Sequence, residues 1–204
     1  EKGQGVDVNP LEAYTHYLLA GLNNNELACK SVKRLTLLLP AGVAEGQKLA
    51  NTYQKMIDDT VWTTQQMDAV SDVGTQGYTE ERRLNEIEEC KESLKAIQAE
   101  DYEKAEALLS TLARENNLTA KLDLARLHLR QLINIPNLKF AILQLSQAAT
   151  LGMPDAKIEL GSIYEGGTHI EKNLSEAIKL YRDAAEQESV NGMFQLGRCY
   201  LLGI

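Results

Sequence analysis

Residues 156–185 read AKIELGSIYEGGTHIEKNLSEAIKLYRDAA, and the architecture follows from them. Ala156, Leu160, Ile163 and Tyr164 fall at i, i+4, i+7 and i+8, and Ala177, Tyr181, Ala184 and Ala185 repeat that pattern. Such spacing lines one face of an α-helix. Between the two stripes, Gly166 and Gly167 can stop the first helix and Asn173 or Ser175 can cap the second, since glycine tolerates the left-handed turn at a helix end and a short polar side chain satisfies free amides at a helix start. The stretch predicts a helical hairpin. Small residues at Gly161, Ala184 and Ala185 let the two backbones approach closely.

The hairpin recurs at a fixed period. Ala120, Ala156 and Gly192 are 36 apart, as are Leu124, Leu160 and Leu196, then Ala125, Gly161 and Gly197, then His128, Tyr164 and Tyr200. The second helix repeats as well: Ala105, Ala141 and Ala177, then Leu109, Leu145 and Tyr181. One hairpin cannot bury both of its faces, so successive hairpins must stack, and a stacked array is an α-solenoid.

These columns, with Gly167, Ile170 and Asn173, resemble the Sel-one-like repeat, a relative of the tetratricopeptide repeat with a longer unit. The resemblance is clearest across 120–204 and weaker across 101–119, where only the second helix fits. It returns at the N-terminus, where Val6, Asn9, Ala13, Tyr17, Ala20-Gly21 and Ala28 keep the same mutual spacings. Residues 81–99 lack the Leu-Gly and Tyr columns, and the unit from Ala120 has Ala125 and His128 in place of Gly and Tyr, with a shortened-looking turn at Ile133 to Asn137. The resemblance implies an all-α, right-handed superhelix of stacked hairpins. It also implies an adaptor role, since members serve in complex assembly, envelope and signalling systems, bacterial host contact and protein quality control at membranes.

Three regions follow. Residues 1–56 read as the end of a first array, with a closing helix after Pro40 whose face is Val43, Gln47, Leu49, Ala50 and Tyr53. Residues 57–80 carry no repeat column and read as a linker or irregular segment with a short helix near Thr64 to Val70. Residues 81–204 form a second array: an atypical first layer over 81–119, opened by one helix from Glu80 to Ala99 with Leu84, Ile87, Cys90, Leu94 and Ile97 along its face, then clear repeats over 120–204. Both ends cut through a repeat, so the chain is expected to be a piece of a longer repeat protein. Whether the arrays meet is open.

The chain has 204 residues, 44% of them hydrophobic, and a net charge of −8. That composition supports a packed core and argues against phosphate-backbone binding, which needs clustered Lys and Arg. No apolar run reaches the ~20 residues of a membrane helix. The acidity is local: residues 57–119 hold 15 acidic and 6 basic side chains, whereas 120–204 hold 9 of each and 1–56 hold 5 acidic and 6 basic.

Sites for chemistry are scarce. Cys29, Cys90 and Cys199 are isolated and fit neither a disulfide framework nor a zinc site, reading instead as half-buried small hydrophobes. His16, His128 and His169 lack ligand partners at metal spacing; His128 sits in a tyrosine column and reads as packing, and His169 as a solvated loop residue. Glu86, Glu88 and Glu89 read as a solvated helix face. Gly3-Gln-Gly5 is no dinucleotide loop, and Asn117 and Asn173, although formal glycosylation acceptors, read as helix caps. No cofactor, metal or catalytic residue is expected, and the chain reads as no enzyme.

Function is left to the surface. In a curved stack the first helices line the concave face, which the register assigns to Lys121, Asp123, Arg126 and Arg130; to Lys157, Glu159 and Ser162; and to Met193, Gln195, Arg198 and Leu202. A groove of mixed charge with some apolar character suits a helix or extended peptide of a protein partner. The reading is a non-catalytic interaction scaffold, with a regulator of a cell-envelope hydrolase or a glycan-binding repeat protein as the alternative. Bacterial periplasm or envelope and cytoplasm fit the sequence equally.

Overall fold

The computed structural model describes residues 5–23, 25–38, 42–52, 54–55 and 78–204. Every regular element among them is helical: α1 (Pro10–Leu22), α2 (Glu26–Leu38), α3 (43–52), α4 (Glu80–Glu89), α5 (Lys91–Gln98), α6 (Tyr102–Arg114), α7 (Leu118–Leu129), α8 (Leu138–Thr150), α9 (Pro154–Gly166), α10 (Leu174–Ala185) and α11 (Val190–Leu202). The expected linker, with its short helix at Thr64–Val70, lies outside the described residues except for 78–80, as do Pro40 and Tyr53. The fold is of the α-solenoid class, built from paired helices.

Helix starts keep the period, with α7, α9 and α11 beginning at Leu118, Pro154 and Val190 and α8 and α10 at Leu138 and Leu174. Helix ends keep it too. Left-handed backbone closes the first helices at Gln131 (φ 55°), Gly167 (66°) and Gly203 (68°), and the second helices at Asn116 (66°), Gly152 (94°) and Glu188 (59°). The turn before α8 is therefore not shortened: Gln131 takes the left-handed position that Gly167 fills one repeat later, so the missing glycine made the turn look irregular. Asn137 and Asn173 cap α8 and α10, accepting from the amides of Phe140 (3.0 Å) and Glu176 (3.1 Å).

The single helix expected from Glu80 to Ala99 is broken at Cys90, which holds φ −80° and ψ −1° between α4 and α5. Two side chains donate at the break, Asn117 Nδ2 to the Glu86 carbonyl at 3.2 Å and Ser93 Oγ to the Cys90 carbonyl at 2.6 Å, beside the backbone bonds that these carbonyls accept from the Cys90 and Leu94 amides. Leu84, expected on the buried face, is 58% exposed.

The chain divides into two compact units, Gln76–Leu160 and Glu1–Thr75 with Gly161–Ile204, the division falling inside α9. In the Gln76–Leu160 unit, α5, α6, α7 and α8 pack in succession and α4 lies on α7. Cys90, Ala105, Leu109, Ala120, Leu124 and Leu127 form its core, with Tyr102 and Phe140 against them. In the other unit α10 packs on α11, α11 on α1 and α1 on α2. Order in space departs from order in the chain, because the N-terminal helix follows α11. Gly46 of α3 lies against Tyr14, where a methyl group would stand 2.5 Å from the ring.

Candidate functional site

On the Gln76–Leu160 unit, α7 carries Lys121, Asp123, Arg126 and Arg130, and the first turns of α9 carry Lys157 and Glu159. Arg126 ties the two helices together: its Nε and Nη2 each lie 3.0 Å from Glu159 Oε1, and Nη1 donates to Asp123 Oδ1 at 3.2 Å. Burial works against the charge on Arg126, but Glu159 and Asp123 outweigh it and hold its pKa above the ordinary value. Burial raises the Asp123 carboxyl in spite of Arg126. Arg130 is exposed, and Lys157 and Glu159 are half-buried.

Lys121 is 8% exposed. Its Nζ donates to Gln147 Oε1 at 2.9 Å, and burial lowers its pKa. It lines an open cleft of about 530 Å³ with Asn116, Ser146, Gln147, Thr150 and Leu151. No carboxylate lines this cleft, so the ammonium keeps donors for an incoming acceptor.

On the other unit, Ser162 and Leu202 are exposed, Gln195 and Arg198 half-buried, and Met193, at 2% exposure, belongs to the core. Arg198 Nε donates to Gln195 Oε1 at 2.9 Å, while Nη2 pairs with Glu165. Glu165 also accepts from the Tyr181 hydroxyl at 3.0 Å. Burial opposes the Glu165 charge, yet Arg198 and Tyr181 bring its carboxyl below the usual range. Burial, then the Glu165 charge, raises the Tyr181 phenol.

Sequence reasoning named Lys121 and Arg198 but missed their partners Gln147 and Glu165. The register carried a signal: Arg126 and Arg198 each have an acceptor three residues earlier, Asp123 and Gln195, and an acid 33 residues away in a neighbouring first helix, Glu159 and Glu165.

Glu86 also departs from expectation. It is buried rather than solvated, and its Oε2 accepts from the amides of Leu118 and Thr119, both at 3.0 Å, at the start of α7. Arg82 Nε donates to its other oxygen at 2.9 Å. Cys90 and Cys199 are fully buried rather than half-buried, burial pushing their thiols up to about 12 and about 11, whereas Cys29 is exposed. His128 is a packing residue, edge-on to Phe140 with ring centroids 5.1 Å apart, its Nδ1 accepting from the Asn137 amide at 3.1 Å. His169 is exposed, and Asn117 caps α7 through the Ala120 amide at 2.8 Å. Among the described residues no group of three or more His, Cys, Asp or Glu could hold a metal ion, and no helix is long and apolar enough to cross a membrane.

Comparison with known families matches the Sel1 repeat at residues 1–25, 154–189 and 190–204. Among solved structures, the crystal structure of a Sel1 repeat protein from Oxalobacter formigenes is similar, with 33% sequence identity and a TM-score of 0.51. The match covers 55% of this chain and 46% of that one, so the chain spans under half the length of this relative. No curated protein matches the chain significantly. Sel1 repeat proteins are in general interaction scaffolds rather than catalysts. With its 36-residue register and paired helices, the chain is similar to the Sel1 repeat at the matched segments and to a Sel1 repeat protein in structure.

Proposed function

We propose that this chain is a non-catalytic scaffold that binds a protein partner or peptide along the first helices of its repeats. The reading rests on the surface of α7 and α9, where the Asp123–Arg126–Glu159 cluster and the Lys121 cleft offer charge of both signs. An extended peptide or helix with polar and acidic groups fits that chemistry, with its carboxylates at Lys121 and its donors at the half-buried acids. The acidic segment over 57–80 joins the two recognisable arrays in this reading.

Affinity capture with the wild-type chain, Lys121→Ala and Arg126→Glu tests it, with His169→Ala as the exposed-loop control and circular dichroism to verify folding. Retention of a protein by wild type and control, with loss in the folded α7 variants, supports the scaffold. Binding of an oligosaccharide in the absence of any retained protein overturns it.

A further inference from the structure

The Lys121 cleft and the Arg126 cluster lie on different sides of α7. At about 100° per residue, Asp123 and Arg126 stand about 200° and about 140° around the helix from Lys121. Their partners confirm the division: Arg126 reaches Glu159 of α9 at 3.0 Å, whereas Lys121 reaches Gln147 of α8 at 2.9 Å. The cleft, of about 530 Å³, opens between Asn116 in the turn before α7, Lys121 itself, and Ser146, Gln147, Thr150 and Leu151 at the end of α8. Among the described residues that line it, Lys121 alone carries charge. The neighbouring Arg82 guanidinium is taken up by Glu86 and by the Asn116 carbonyl at 3.2 Å.

One ammonium answers one negative charge. Lys121 Nζ has three protons and gives one to Gln147, which leaves two for acceptor oxygens, and the Asn116 amide and Ser146 hydroxyl are further donors on the wall. A phosphate brings about −1.5 to −2 charges and is ordinarily met by clustered arginines, so this cleft suits a carboxylate. Clefts of about 300–1,000 Å³ hold whole small ligands, so there is room for more than the carboxylate, and Leu151, 41% exposed, adds apolar surface. The last residue of a peptide meets both demands from one carbon, because its α-carboxylate and its side chain both branch from Cα. A carboxylate on an Asp or Glu side chain carries no apolar group beside its oxygens, and a straight helix lying over Arg126 cannot turn one to the far side of α7. We propose that the Lys121 cleft holds the free C-terminal carboxylate of a partner peptide whose last residue is aliphatic, with the carboxylate on Lys121 and the side chain on Leu151. The inference rests on the scaffold reading above and specifies which carboxylate of the partner reaches Lys121. Such a ligand also offsets the burial that lowers the Lys121 pKa, since a carboxylate beside the ammonium favours its charged form.

The test titrates the full chain by calorimetry with three N-acetylated peptides: one ending in Ala-Ala-Leu with a free carboxylate, the same peptide as its C-terminal amide, and an amide with one internal Ala replaced by Glu. The free acid is expected to bind about tenfold or more tightly than either amide. Lys121→Met, which removes the ammonium, and Gln147→Glu, which sets a carboxylate on Nζ without changing the shape of the cleft, are each expected to abolish that preference in chains that circular dichroism shows to be folded. Failure of the free acid to bind, equal binding of the acid and its amide, or a preference that survives Gln147→Glu overturns the inference. Binding of the internal-Glu amide as tightly as the free acid overturns the terminal assignment. The scaffold reading is struck separately, by the capture experiment above: a chain that retains a protein yet does not distinguish these peptides is a scaffold without a C-terminal carboxylate site.

Discussion

Gly161 lies under the ring of Tyr181: a methyl group on Gly161 would stand 2.7 Å from the ring edge. Because Tyr181 is fully buried and its hydroxyl is tied to Glu165, the ring has little room to retreat. Gly161→Ala therefore overpacks the hairpin by about 1–3 kcal/mol, and the better helix propensity of alanine returns about 1 kcal/mol of that. The expected net loss is about 0–2 kcal/mol, read from the urea midpoint. Gly197→Ala, whose methyl would meet Tyr17 at 3.2 Å, is expected to change stability far less.

Glu86 serves the start of α7 from a different helix. Removing its carboxylate strands two buried amides, those of Leu118 and Thr119, and leaves Arg82 with the Asn116 carbonyl but no carboxylate. Glu86→Ala is expected to destabilise the chain by about 2–4 kcal/mol. Glu86→Gln keeps an acceptor oxygen and should lose less; equal losses in the two variants would mean that Glu86 acts through packing alone.

His16 carries the pH dependence of the α1–α11 pair. Burial, then the positive charge of Arg182, lowers its pKa to about 4 from 6.5, with Glu12 at 3.8 Å and Tyr200 stacked on the ring. The folded state favours the neutral ring, so stability is full above pH 6.5 and declines as pH falls toward 4, by about 3 kcal/mol in all. His16→Phe is expected to flatten that part of the profile when unfolding midpoints are measured between pH 7 and 4.

Gln131 and Glu188 hold φ of 55° and 59° in the columns where other repeats place Gly167 and Gly152. Side chains with a Cβ are strained there. Gln131→Gly and Glu188→Gly are each expected to stabilise the chain by about 0.5–1 kcal/mol, visible as higher melting midpoints. Gly167→Ala should do the reverse, because its methyl would also stand 2.9 Å from Lys172 Cβ.

Much of this was legible in the sequence, for a physical reason. A repeat states its packing several times, so the column of Leu124, Leu160 and Leu196 identifies itself by recurrence. Features that occur once have no such voice. The break at Cys90 comes with the Asn117 amide reaching across to the Glu86 carbonyl, and the burial of Glu86 depends on the free amides of α7, which no helical periodicity within α4 announces. The candidate surface was half legible: Arg126 and Arg198 lie where the register puts them, but each is already bound to a carboxylate, and Met193 points into the core.

The joint between α11 and α1 bears on how the chain is made. Tyr17 and Ala13 leave the ribosome about 180 residues ahead of Gly197 and Tyr200, which cover them. At the usual elongation rate of about 5–20 residues per second, the buried face of α1 waits roughly 10–40 s for its partner. During that interval it is an exposed apolar helix on a nascent chain, so chaperone occupancy of residues 10–22, rather than the speed of hairpin formation, would govern the yield of native protein.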